Sequence, residues 1–227
     1  MSAKTIAMFD AISRRYDWMN RCLSLGLDKV WRRAVVRHLP KGERLKVLDC
    51  ATGTADQLLT LLYRAPQVYD AVGIDPSQEM LNLASAKLRD FAYKTKLLAA
   101  SAEKIPFPDA TFDAITLSFG IRNVADLDQS LKELYRVLLP QGRLLILEFS
   151  HPTVKPIRFF HKLYLTHVVP RLGALLVKNK EAYTYLSQTI EAFPQGKELC
   201  EILQRYGFTV QVRPLTLGIV TLYICEK

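Results

Sequence analysis

Val47-Leu48-Asp49-Cys50-Ala51-Thr52-Gly53-Thr54-Ala55-Asp56 reads as a buried strand that runs into a turn of small residues and then into a helix. Small side chains at such a turn let a ligand approach backbone N–H groups closely. Alone, the segment is weak evidence, since a plain strand-to-helix connection is the competing reading. Its correlate comes one strand later, in Gly73-Ile74-Asp75-Pro76-Ser77. Asp75 stands about twenty residues beyond the turn, where nucleotide-binding α/β folds hold a carboxylate against ribose hydroxyls.

Charge then discriminates between ligands. A pyrophosphate seeks N–H donors and positive potential, and Asp49 and Asp56 on either side of the turn repel it. S-adenosylmethionine has no phosphate and carries an ammonium and a sulfonium, which a carboxylate-flanked turn suits. Ala51 and Ala55 stand where a full glycine motif would have glycines, so close backbone approach falls mainly to Gly53.

Working outward, short apolar runs alternate with helical spacing, the pattern of a parallel sheet with crossover helices. Strands are expected at Leu45–Cys50, Tyr69–Asp75, Lys96–Ala100, Phe112–Phe119, Arg143–Phe149, Phe208–Val212 and Ile219–Cys225. Helices are expected at Ala55–Leu62, Gln78–Phe91, Leu127–Leu138 and Thr184–Tyr206, and Pro140-Gln141-Gly142 reads as the turn into the fifth strand. The expected fold is therefore α/β and Rossmann-like, a seven-stranded, mostly parallel sheet with helices on both faces. Ser101-Ala102 and Ser118 end its third and fourth strands, where a class I methyltransferase meets its cofactor. Two regions lie outside the alternation. Residues 1–40 carry Phe9, Ile12, Tyr16 and Met19 on one helical face, and residues 150–183 are inserted after the fifth strand. Both are expected to build a lid above the carboxyl ends of the strands.

The chain of 227 residues, 49% hydrophobic, fits one domain, 1–227. No signal or transit peptide is read at its start. Leu163–Val177 is interrupted by His167, Pro170 and Arg171 and is too short to span a bilayer. Cys22, Cys50, Cys200 and Cys225 form neither a disulfide framework nor a zinc site, so a reducing cytoplasm is expected and no metal. A net charge of +9 and a pI near 9.4 imply attraction to an anionic partner without choosing among nucleic acid, lipid surface and small substrate. The basic residues are dispersed and lack interleaved aromatics, which argues against nucleic acid and an RNA methyltransferase. A binding protein without turnover is the reading from another class. Monomer and homodimer stay open.

Several further stretches resemble one family. They are Phe9-Asp10 with Arg15-Tyr16-Asp17-Trp18-Met19-Asn20, Leu23-Ser24-Leu25-Gly26 with Trp31, and Pro106-Phe107-Pro108-Asp109. To these add Ser118-Phe119-Gly120-Ile121-Arg122-Asn123, Leu147-Glu148-Phe149-Ser150, and Tyr183 with Tyr185-Leu186. The chain is similar, from about Met8 to Tyr223, to the ubiquinone/menaquinone biosynthesis C-methyltransferase family. The resemblance implies cofactor contacts at Thr54, Asp75, Ser101 with Ala102, and Ser118, beside Asp49 and Gly53 from the turn. Thr52, Ala55 and Gln141 depart from it, standing where family members often carry glycine.

It also implies methyl transfer to a ring carbon of a lipophilic prenylated quinol, which requires a ring phenolate. Arg122 is the first candidate to stabilise that charge, against an ion pair with Asp126 or Asp128. Tyr16, Asp17 and Asn123 are candidates to hold the ring, and His151, His161 and His167 are read as mainly structural. Ile157, Phe160, Leu163, Tyr164 and His167 form one helical stripe, with Lys155, Arg158 and Lys162 on another face. That pattern fits peripheral attachment to the anionic inner face of the cytoplasmic membrane, or a helix that simply covers the core.

Overall fold

β1 (Leu45–Cys50) lies at the centre of a seven-stranded sheet of order β3-β2-β1-β4-β5-β7-β6. The computed structural model describes residues 1, 3–169, 171 and 180–227. The remaining strands are β2 (Val68–Asp75), β3 (Thr95–Ala99), β4 (Phe112–Ser118), β5 (Leu138–Phe149), β6 (Thr209–Leu215) and β7 (Val220–Glu226). β7 runs antiparallel to both neighbours, and β1 to β5 pair in parallel. The order reverses at β1, so the carboxyl ends of β1 and β4 flank the crevice where open α/β sheets take ligands.

Strand residues alternate between two apolar layers because side chains on a strand point to opposite faces. Val47, Ala71, Ala114, Leu145 and Leu222 join one layer, which α2 (Asp28–Val36) and α3 (Asp56–Arg64) cover with Trp31, Val35, Leu58 and Leu61. Leu48, Val72, Ile115, Ile146 and Tyr223 join the other, against Leu131 and Leu134 of α5 (Leu127–Val137) and Leu199 and Leu203 of α8 (Lys197–Arg205). Each such aliphatic side chain stabilises the fold by roughly 1.5–3 kcal/mol when fully buried. Caps set two helix starts. Ser77 accepts from Met80 N–H at α4 (Gln78–Lys87), and Asp126 accepts from Gln129 N–H at α5.

The C-terminal helix expected as one unit, Thr184–Tyr206, is two. α7 (Lys180–Ala192) ends before Pro194, which cannot continue a helix, and α8 starts after Gly196 at φ 56°. β5 begins five residues earlier than expected, and Pro140-Gln141-Gly142 lies within it as an irregularity instead of preceding it.

The lid regions also differ from expectation in one respect. α1 (Ala3–Leu23) buries Ile12 and Met19 against Leu165, Val169 and Ile190. α6 (Lys155–Leu163), continued by a π-helical turn over Tyr164–Val168, faces inward through His161, Leu165 and Val169, four residues apart. Phe160 and Leu163, read as core-facing in the covering-helix alternative, are 66% and 45% exposed, beside Phe159 at 65%. The i, i+4 spacing of the inward residues gives the same helical period as the outward stripe, so periodicity alone does not choose the face. Residues 172–179 of the expected insertion lie outside the described residues.

Candidate functional site

The turn after β1 is built on strained backbone. Ala51 (φ 53°), Gly53 (φ 54°) and Ala55 (φ 67°) all occupy the left-handed region, where non-glycine residues carry a steric cost. Phe119 (φ 60°) leaves β4 the same way. Gly120 follows it, and a Cβ there would stand 2.6 Å from Ala51 Cβ, so only glycine lets the two strand ends approach. Of the three positions where family members often carry glycine, Ala55 and Gln141 (φ 63°) fall in the left-handed region and Thr52 does not.

Between these ends lies a narrow cavity of about 50 Å³ bordered by Gly53, Asp75, Ser118, Phe119, Asn123, Phe9 and Tyr16. Asp75 Oδ2 accepts from Gly53 N–H at 2.9 Å and Oδ1 from Ser77 N–H at 2.9 Å. Each oxygen keeps a lone pair, so the carboxylate suits a pair of hydroxyls. Burial raises its pKa above the usual carboxylate value. Ser118 Oγ donates to Gln57 Oε1 at 3.1 Å.

The other residues expected at the cofactor do not line this cavity. Asp49 is 1% exposed and does not border the cavity; its oxygens accept from Thr52 Oγ1 at 2.6 Å and Thr116 Oγ1 at 2.5 Å. It ties the turn to β4 instead of facing a ligand, and burial pushes its carboxyl up to about 6. Thr54 Oγ1 donates to Asp17 Oδ1 at 2.5 Å, which Lys87 also engages, while Ser77 Oγ pairs with Asp10. These bonds hold α1 over the cavity. Ser101 and the buried Ala102 follow β3 beside Glu103, outside the cavity's lining, and Glu103 is held down to about 2 chiefly by hydrogen bonds that outweigh its burial.

A second chamber, about 60 Å³, shares Phe9, Tyr16 and Phe119 with the first. Trp31, Arg32, Phe149, Arg122, Asn20 and Tyr185 complete much of its wall. Next to it lies a groove of about 330 Å³ that shares Ser24, Trp31 and Phe149 and is otherwise mostly apolar, including Leu25, Leu27, Ile157, Phe160 and Leu165. Trp31 is fixed by donating from Nε1 to Thr216 Oγ1 at 2.8 Å. A larger concavity, about 520 Å³, lies elsewhere, an open charged cleft between α2 and α3.

Of the expected catalytic residues, Tyr16 borders both chambers, Asn123 borders the first and accepts from Tyr185 Oη at 3.2 Å, and Arg122 borders the second. Neither Asp126 nor Asp128 pairs with Arg122. Asp126 is occupied as the α5 cap, and the partner is Glu148 of β5, with Nη1 2.6 Å from Oε1 and both side chains buried. The same nitrogen donates to the Phe119 carbonyl at 2.7 Å. Glu148, quoted for its resemblance but given no role, shows itself in sequence as a charge inside an apolar strand. Arg32 was overlooked, although Asp28, Trp31, Arg32, Val35 and Leu39 follow the spacing of a buried helix face. His161 lines the apolar groove and His151 stands beside it, away from the chambers.

A doubly wound sheet with a ribose-type carboxylate at β2, a strained small-residue turn at β1 and a neighbouring aromatic chamber defines a Rossmann-like, S-adenosylmethionine-dependent methyltransferase. Solved structures agree on the fold: a putative methyltransferase bound to the Trm112 activator from Haloferax volcanii aligns with TM-score 0.70 and 16% identity, covering 96% of each chain. A SAM-dependent methyltransferase from Aquifex aeolicus aligns with TM-score 0.61 and 20% identity, over 86% of this chain and 88% of that one. The chain belongs to the ubiE/COQ5 methyltransferase family, whose model matches residues 1–227. It is 43% identical to the demethylmenaquinone methyltransferase of Deinococcus radiodurans, over 97% of this chain and 91% of that one. It is 42% identical to the ubiquinone/menaquinone biosynthesis C-methyltransferase UbiE of Geotalea daltonii, over 97% and 94%.

Proposed function

We propose that the chain methylates a ring carbon of a prenylated hydroquinone, a demethylmenaquinol or a ubiquinone-pathway benzoquinol. The observation that carries this reading is the series of three adjacent spaces that share lining residues: a polar cavity under α1, an aromatic chamber, and an apolar groove. They match in order a nucleoside, a flat ring and an isoprenoid tail. The names of the two relatives point to the same substrate class.

Bound S-adenosylmethionine supplies an electrophilic methyl group. Gly53, Asp75 and Ser118 are the residues to hold it, and Asp49 fixes the turn that presents Gly53. Phe119 and Tyr16, shared by both chambers, align the ring with the cofactor. The two chambers are smaller than the roughly 300–1,000 Å³ of ordinary ligand pockets, so α1 must shift to admit ligands and then closes water out.

Among the described residues no helix is long and apolar enough to cross a membrane. Access to a bilayer-dissolved substrate is therefore assigned to peripheral contact through the outward Phe159, Phe160 and Leu163, with Lys155, Arg158 and Lys162 at the headgroups. Initial-rate kinetics with reduced demethylnaphthoquinones of increasing tail length test the reading. KM should fall as isoprene units are added, and a KM independent of tail length removes the groove from it.

A further inference from the structure

α2 buries a guanidinium, that of Arg32, which makes no contact ion pair among the described residues. Arg32 is 8% exposed and its Nε is shielded from solvent without a hydrogen-bond partner. Its Cζ stands 5.5 Å from the centroid of the Phe119 ring, and among the described residues no carboxylate pairs with it. The nearby acids are engaged elsewhere. Asp28 binds Arg21 and Ser24, Asp56 binds Lys87 and Arg21, and Asp49 binds the two threonines. Asp49 and Asp56 feel the Arg32 charge through space, without contact. Arg32 also lines the open charged cleft between α2 and α3, but its Nε edge is shielded from water, and a shielded donor without a partner is receptive to an anion.

We propose that Arg32 receives the ring oxyanion of the substrate, formed when a hydroquinone hydroxyl releases its proton to water and the O–H electron pair stays on oxygen. The proposal rests on the quinol reading above. Arg32 borders the aromatic chamber beside Trp31, Phe119 and Phe149, and does not border the cofactor cavity. Arg122 borders the same chamber, but Glu148 already neutralises it. A guanidinium is permanently charged and cannot accept the proton, so Arg32 acts by favouring the anion.

The test compares Arg32→Gln and Arg32→Lys with wild type, using S-adenosylmethionine and a reduced demethylnaphthoquinone. Losing a charge aimed at a developing oxyanion lowers kcat roughly 10²–10³-fold at neutral pH. The anion must form without its cation, so the rising limb of kcat against pH moves to higher pH in the Gln variant. The Lys variant recovers part of the loss. Cofactor affinity by calorimetry stays at the wild-type value in both. Thermal melts of the unliganded proteins separate this role from a structural one, because Arg32→Met removes an unpaired buried charge and should melt no lower than wild type. A wild-type kcat and pH limb in Arg32→Gln overturns the proposal. So does a loss confined to cofactor affinity, which assigns Arg32 to the cofactor's carboxylate, and so does a melt of Arg32→Met far below wild type. If wild type itself transfers no methyl group to any demethylquinol, the quinol reading fails first.

Discussion

Arg122 and Glu148, 26 residues apart in the chain, form a buried ion pair with Nη1 2.6 Å from Oε1, and their side chains are 5% and 2% exposed. The pair joins the end of β4 to the end of β5 behind Phe149, whose ring centroid lies 5.4 Å from Arg122 Cζ. Arg122 Nε and Glu148 Oε2 have no hydrogen-bond partner among the described residues. Burial raises the Glu148 pKa and the Arg122 charge opposes that shift.

Removing one member of such a pair strands the other charge. Arg122→Ala should lose about 3–5 kcal/mol of folding free energy, measured by urea denaturation. The double variant Arg122→Met with Glu148→Met should lose much less, because both charges leave together. Equal losses in the single and double variants contradict the pairing.

Asp49 gives the stability a pH dependence of definite sign. Its folded-state pKa, about 6, lies above the ordinary aspartate value of 3.8, so the folded protein holds this proton more tightly than the unfolded chain. The contribution is complete below about pH 4 and is lost as pH rises toward 6, a difference on the order of 3 kcal/mol. Asp49→Asn should flatten that part of the curve relative to wild type. An identical pH profile for the two proteins, from melts between pH 4 and 7, counts against the assignment.

Gln141 and Ala55, which stand at left-handed positions where family members often carry glycine, answer differently to glycine. Gln141 is exposed and at φ 63°, so Gln141→Gly relieves steric strain at an entropic cost and should stabilise by roughly 0.5–1 kcal/mol, or about 1–4 °C in melting temperature. Ala55 is fully buried, and Ala55→Gly also loses a packed methyl group, so its gain should be smaller. A destabilised Gln141→Gly denies the strain.

Much of the sheet was legible because buried parallel strands read as apolar runs and their ends carry turn residues. Asp75, Gly53 and Ser118 were legible for the same reason, since a strand end fixes where its next side chain goes. What escaped depends on packing between distant segments. Glu148 reaches Arg122 only because β4 and β5 pair in parallel register. Arg32 meets the chamber only because α2 lies over Phe119. The orientation of α6 is set by α1 and α7, whose packing on Leu165 and Val169 no local periodicity encodes.

That orientation leads to a surface prediction. Changing Lys155, Arg158 and Lys162 together to Gln should weaken binding to anionic vesicles at low salt by roughly a hundredfold, at about 1 kcal/mol for each charge near the headgroups. Phe159→Ser with Phe160→Ser should weaken it further at any salt, since apolar insertion is not screened. Flotation equal to wild type for both variants removes the membrane role.

The central claim is carbon methylation of a quinol ring. The direct measurement is to incubate the purified protein with S-adenosylmethionine labelled at its methyl carbon and a reduced, prenylated demethylquinone, then locate the label by NMR. The account predicts one labelled methyl on the ring carbon left unsubstituted in the substrate. Label on a ring oxygen, or no label in the quinone fraction, contradicts it.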